Sequence, residues 1–305
     1  MSGQTHITDV TLRDGLQMES GIIDTPSKLT LFEKLSRCGY DRLEMTSFSH
    51  PKSVPALADS DAFCEAVFSK GSSSTELMAF VPNKKGLERC LRFNIPWVSV
   101  FIAVSETFNR RNINQSTKET LAEIEDLVGA IHSEKRKVRV YLSTAFGCPY
   151  EGAIPKERLL SLFNELSRLR PDEIALSDTI GVGLPHEVGD VLRDLSRVYP
   201  LENTALHVHN TYGLGLASVA AAFDVGVRKF DGSTGGLGGC PYAKGASGNL
   251  ATEDLLYFFS RSGYGRLQLF AVREALVYIS AELKLKLQSR LGEVISREGN
   301  PYGIV

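Results

Sequence analysis

Apolar and polar positions along the chain switch between two periods. Short runs that alternate or are nearly all apolar predict eight β-strands: Ile7 to Leu12, Arg42 to Thr46, Glu76 to Val81, Trp97 to Ala103, Val138 to Thr144, Glu173 to Ser177, Thr204 to Val208 and Val227 to Gly232. Between them, apolar residues recur at helical spacing over Pro26 to Cys38, Lys84 to Phe93, Thr117 to Lys135, Lys156 to Arg168, Pro185 to Val198 and Gly215 to Val225, several with Pro in the first turn. The helical signal is weakest after the second and eighth strands. A strand-helix unit of about 30 residues, repeated without a long linker, predicts an α/β fold of the (β/α)8 TIM-barrel type rather than an open sheet. One catalytic domain is expected over 1–305, with about 266–305 as additional C-terminal helices.

The strands are not uniformly apolar, as parallel strands covered on both faces should be. The first alternates Asp9, Thr11 and Arg13 with Val10 and Leu12, and the second sets Glu44 and Thr46 among Leu43 and Met45. If the apolar set faces the helices, Asp9, Arg13, Glu44, Tyr141, Ser143, Ala175, Ser177, His207 and His209 face the barrel interior. Barrel enzymes build their sites from polar residues at the carboxyl ends of strands. An interior ion-pair network is the competing explanation for such charges.

Composition narrows the function classes. With 305 residues, 43% hydrophobic and 23% charged, the chain can bury a sizeable core. A net charge of -2 leaves no electrostatic footprint for nucleic acid or an anionic membrane. The five cysteines, at 38, 64, 90, 148 and 240, have neither metal-finger spacing nor a disulfide framework and read as reduced thiols of a cytoplasmic protein. No apolar run reaches the roughly 20 residues of a membrane span, and strand-like sequence from His6 leaves no room for a targeting peptide.

His207-Val208-His209 ends a predicted strand, so both imidazoles share one face. Two hydrogen-bonded core histidines fit the pattern as well as two metal ligands do. Asp14 after the first strand offers a carboxylate and Asn249 an amide oxygen. Together this oxygen and nitrogen set favours a divalent cation, Mg2+ or Mn2+ before Zn2+. Two His and a carboxylate also match the non-haem iron triad. The glycine-rich Gly235 to Asn249 segment reads as a mobile lid or a backbone cradle carrying Cys240. Alternatively, Asn249 caps the helix that begins at Leu250, and Cys240 is an inert buried thiol. No phosphate loop or dinucleotide fingerprint is present.

Asp9-Val10-Thr11-Leu12-Arg13-Asp14-Gly15-Leu16-Gln17 resembles the signature of the DRE-TIM metallolyases. Cys148 to Gly152, Asp178 to Gly183 and above all Gly235 to Asp254 resemble the 3-hydroxy-3-methylglutaryl-CoA lyase family within that superfamily. The resemblance implies a divalent cation held by Asp14, His207, His209 and Asn249, with Arg13 beside a thioester carbonyl. It further implies Cys240 on a lid, Glu44, Asp178 and Glu253 around the metal, and Ser47 and Lys286 in contact with coenzyme A. The implied reaction cleaves a 3-hydroxyacyl-CoA substrate to acetyl-CoA and a keto acid, and a homodimer is the expected assembly.

Such cleavage needs a hydroxyl proton removed while electrons flow into the thioester as an enolate. A bound cation lowers the hydroxyl pKa. The Arg13 guanidinium can neutralise the enolate oxygen, Cys240 is a candidate acid for the carbanion, and His207 or Asp178 are candidate bases. Asn210 and Leu214 stand where the lyases carry Asp and Gln, and Thr11-Leu12 where they carry Gly-Pro. Asn210 thereby removes a charge expected to orient a ligand histidine. These differences keep a citramalyl-CoA-type or methylmalyl-CoA-type substrate, and a catalytically silent barrel scaffold, as alternatives.

Overall fold

A computed structural model of the chain describes residues 4–19, 21–71, 75–238, 248–265 and 268–295. Among the described residues, eight parallel strands close into a barrel: β1 (His6–Asp9), β2 (Arg42–Ser47), β3 (Glu76–Phe80), β4 (Trp97–Ala103), β5 (Lys137–Ser143), β6 (Glu173–Asp178), β7 (Thr204–Val208) and β8 (Lys229–Gly232). Each pairs with its sequence neighbours, and β1 closes the ring on β8 with His6 beside Lys229. The chain is thus a (β/α)8 TIM barrel.

The helices start where the sequence supplies caps. α1 (Thr25–Leu35) begins at Asp24, whose carboxylate accepts from Ser27 N with Pro26 in the first turn. α2 (Ser60–Ser69) and α3 (Lys84–Cys90) follow β2 and β3, and Asn83 caps α3. α4 (Glu106–Ile113) opens at Ser105 and stops at Asn114, which takes a left-handed conformation. α5 (Thr117–Ser133) carries a Ser116–Glu119 capping box. α6 (Lys156–Arg168) buries Leu159, Leu162, Phe163 and Leu166 as one stripe. α7 (Pro185–Leu195), α8 (Gly215–Val225) and α9 (Thr252–Arg261) complete the outer ring. Beyond it lie α10 (Leu269–Val277), which packs on α1, and α11 (Arg290–Ile295).

Aliphatic side chains such as Leu43, Val98, Val140, Leu176 and Leu206 form a continuous apolar layer between strands and helices. The barrel interior is different. Its amino-terminal half holds Arg42 stacked 3.6 Å over Trp97, and Glu173 between Arg42 at 3.0 Å, Arg139 at 3.1 Å and Lys229 at 2.8 Å. Burial pushes the Glu173 carboxyl up, but the three cations outweigh it and bring it to about 2. An ion-pair network therefore accounts for the lower interior.

Three assignments change. β1 ends at Asp9 instead of Leu12, because the N–H groups of Asp14 and Gly15 return to Val10 O and wind Thr11–Gly15 into a wide helical turn. Asp9 faces outward: Thr8 is the residue that meets interior Arg139, while Asp9 accepts from Thr11 N, Thr234 and Thr252. A register shift between Glu44 and Thr46 leaves Glu44 inside and sends Thr46 to Ser60 of α2.

Candidate active site

The turn after β1 lowers Arg13 and Asp14 onto the carboxyl-terminal mouth of the barrel. Arg13 Nε donates to Glu44 Oε2 at 2.5 Å, and Nη1 to Asp14 Oδ1 at 2.6 Å. Glu44 projects upward from β2 and is held by Ser99 Oγ at 2.5 Å and Tyr141 OH at 3.1 Å. The guanidinium also lies over the Phe80 and Tyr141 rings, 5.3 and 5.1 Å from their centroids. Burial opposes its charge, yet Glu44 and Asp14 beside it raise its pKa further and keep it cationic.

β7 delivers the two histidines. His207 and His209 have ring centroids 5.4 Å apart, and Asp14 Oδ2 lies 3.8 Å from His209 Nε2. Each of Asp14, His207 and His209 offers one ligand atom, and these atoms lie within 4.8 Å of one another. Burial, His207 and Arg13 depress the His209 imidazole to about 4 against the pull of Asp14, so its lone pair is free at neutral pH. Burial pushes the Asp14 carboxyl up, but Arg13, His207 and His209 bring it to about 2. His209 Nδ1 is buried without a hydrogen-bond partner among the described residues. An ionised carboxylate and a pair of imidazoles, with no thiolate, fit a divalent cation. Asn249 pairs with His209 across a β-bridge, but its amide nitrogen, not its oxygen, meets Asp14 Oδ2, at 2.7 Å. The same nitrogen donates to Leu237 O at 3.2 Å, so presenting the oxygen to a cation means turning the amide over and giving up both bonds.

A profile of the HMGL-like family matches residues 4–286. The chain belongs to this family. Hydroxymethylglutaryl-CoA lyase of Bacillus subtilis is 43% identical over 255 residues, covering 84% of this chain and 85% of its own. A solved HMG-CoA lyase from the same organism superimposes with a TM-score of 0.93 at 39% identity, over 96% of this chain and 98% of that one. An Acinetobacter baumannii HMG-CoA lyase, solved with coenzyme A and 3-methylmalate, gives a TM-score of 0.89 at 32% identity, over 96% and 95%.

Other residues expected in this family's site are distributed differently. Asp178 ends β6 on the outward set, and its carboxylate accepts from Val182 and Gly183 N–H, fixing the following loop instead of opening onto the cavity. Glu253 is also displaced. It sits in the first turn of α9 and takes the Gly235 N–H at 3.0 Å, behind the root of the glycine-rich loop. Burial raises its carboxyl to about 7. Ser47 is buried and engaged with Ser49. Lys286 lies exposed in the stretch before α11. Cys240 and its neighbours 239–247 lie outside the described residues. Asn210 Oδ1 accepts Gly215 N at the start of α8, so the carboxylate on His207 Nδ1 comes from elsewhere: Asp231 of β8, at 3.1 Å.

Above Arg13, Asp14, His207 and His209 opens a cavity of about 680 Å3. Its outer wall combines Ser49, His50 and Ser53 from the β2 loop with Arg111, Asn112 and Asn114 around the end of α4. Periodicity did not find α4. Its signals were the Ser105 cap and a left-handed Asn114 rather than an apolar stripe. Gln17, whose Nε2 donates to Asp14 Oδ1 at 2.5 Å, and Ser99 were likewise missed as site residues. Thr11, one of the departures from the lyase motif, accepts from Thr234 N at 2.7 Å and ties the first turn to the glycine-rich loop.

Proposed function

We propose that this chain is a divalent-cation-dependent carbon–carbon lyase that cleaves 3-hydroxy-3-methylglutaryl-CoA to acetyl-CoA and acetoacetate. The observation that carries this is the convergence of Asp14, His207 and His209 within 4.8 Å, beside an Arg13 locked by Glu44. Mg2+ or Mn2+ held there by Asp14, His207, His209 and Asn249 supplies Lewis acidity that lowers the pKa of a substrate hydroxyl. The chain's own part centres on Arg13. Its remaining N–H groups neutralise the thioester oxygen as it becomes an enolate, and Glu44, Ser99 and Tyr141 hold the guanidinium so that little reorganisation is needed. Of the two bases expected, only His207 lines the cavity. A nitrogen that ligates a cation cannot also take a proton, so His207 fills one of those roles at a time. Cys240 is proposed to protonate the product carbanion, with Ser47 and Lys286 toward the coenzyme A tail.

The acyl group follows from where the departures sit. Asn210 and Leu214 do not line the cavity, so they leave its wall unchanged and favour the hydroxymethylglutaryl substrate over a citramalyl-CoA or methylmalyl-CoA type. Among the described residues no helix is long and apolar enough to cross a membrane. The four cysteines among the described residues are buried and free, which supports a reducing, cytoplasmic setting. A homodimer is proposed and is read by light scattering. Incubating metal-stripped protein with Mn2+ and each acyl-CoA is expected to release acetyl-CoA and acetoacetate from the hydroxymethylglutaryl thioester, but no acetyl-CoA or propionyl-CoA from the citramalyl or methylmalyl thioester, with loss of activity in EDTA. Full activity in EDTA, or release only from a citramalyl thioester, refutes the proposal.

A further inference from the structure

Resting on the reading of Asp14, His207 and His209 as cation ligands, we propose that Asp231 is the positioning residue that sets the tautomer of His207, and that Arg139 locks Asp231 for that task. Asp231 projects into the barrel from β8 with its Oδ2 3.1 Å from His207 Nδ1. The same oxygen accepts from Arg139 Nη2 at 2.6 Å. All three side chains are buried, with Asp231 2% and Arg139 0% exposed. A neutral imidazole carries one N–H, and a carboxylate accepts but does not donate. The proton therefore sits on Nδ1, and Nε2 presents its lone pair to the site. Tyr141, edge-on to the imidazole at 5.7 Å, limits rotation of the ring.

Arg139 is itself anchored. Its Nη1 meets Glu173 at 3.1 Å, and Glu173 is gripped by Arg42 and Lys229. The charged lower half of the barrel thus continues as a ladder of ion pairs that ends on a ligand histidine. A ladder serving only to fill the barrel has no reason to fix which nitrogen of His207 is protonated, and this separates the two roles.

The test uses the full-length, metal-stripped protein with Mn2+ as probe, its binding followed by electron paramagnetic resonance. The 15N shifts of the imidazoles in the unsubstituted protein report the tautomer directly. His207 is expected as the Nδ1–H form. Asp231→Leu is expected to weaken Mn2+ binding by about 10–100-fold with an unchanged near-ultraviolet circular dichroism spectrum. Asp231→Asn, which keeps an oxygen where Oδ2 sits, is expected to recover affinity. An Nε2–H tautomer in the native protein, or native Mn2+ affinity in folded Asp231→Leu, overturns the proposal. Should Asp231→Leu fail to fold, the tautomer in the native chain decides. Absence of Mn2+ binding to native protein refutes the ligand reading instead, and the tautomer still decides the role of Asp231.

Discussion

Replacing Arg13 by Gln removes the guanidinium that sits beside Asp14, His207 and His209, a positive charge that does not depend on a bound cation. A guanidinium has five N–H groups. Glu44 and Asp14 take two of them, at 2.5 and 2.6 Å, and the rest are available to a developing oxyanion. Gln offers two N–H groups and no charge, on a shorter stem. Loss of one preorganised oxyanion donor lowers kcat by about 10²–10³-fold, or roughly 3–4 kcal/mol, and that is the expected minimum here. Stability should suffer less than the roughly 3–5 kcal/mol of an abandoned buried charge. Glu44 keeps Ser99 and Tyr141, and Asp14 keeps Gln17 and Asn249. Steady-state acetoacetate release at saturating Mn2+, with parallel Mn2+ titration and urea unfolding, separates these effects. Because the stabilisation arises only as the enolate forms, KM should stay within a few-fold of native. A raised KM with unchanged kcat makes Arg13 a ground-state binding residue and refutes the argument.

Two further perturbations probe the surroundings. Gly238 has φ +104°, and a Cβ there would lie 2.6 Å from Asn249 Nδ2 and 3.3 Å from Asp14 O. Gly238→Ala is expected to cost about 1–3 kcal/mol and to weaken Mn2+ binding by displacing Asn249; unchanged Tm and affinity refute this. Glu253, raised by burial from 4.5 to about 7, binds its proton more tightly in the folded than in the unfolded chain. Its contribution to stability is complete below about pH 4.5 and is lost as pH rises to 7, a change of about 3 kcal/mol. Glu253→Gln should flatten that part of the stability profile measured by urea unfolding, and parallel profiles count against it.

The sequence made the barrel legible because its strands are bounded by breaks in period. Trp97–Ala103, Thr204–Val208, Lys156–Arg168 and Gly215–Val225 fall where the pattern put them. Failures share a cause. Thr11-Leu12-Arg13 alternates like a strand, and nothing in a two-residue period reveals that the backbone has turned back to Val10. Taking the Asp9-Thr11-Arg13 alternation as one strand face also reversed the facing of Asp9. The histidine pair was legible because two residues on one strand share a face by geometry alone. Asp231 was not, because its partners Arg139 and His207 are brought to it by barrel closure from strands 92 and 24 residues away. Asp178 shows the converse: a matching motif placed it at the metal, whereas strand parity with inward Ser177 turns it outward.

The root of the glycine-rich loop is tied to segments almost 280 residues apart in sequence. Asp9 grips Thr234 and Thr252, and Gln288 N donates to Gly235 O at 2.8 Å. At a synthesis rate of about 5–20 residues per second, Asp9 waits roughly 10–50 s on the ribosome before Thr252 exists. Residue 288 comes later still. Most of the helical layer can form while the nascent chain grows, but the root of the glycine-rich loop is not fixed until residue 288 emerges. Vectorial synthesis therefore yields the scaffold before the complete site.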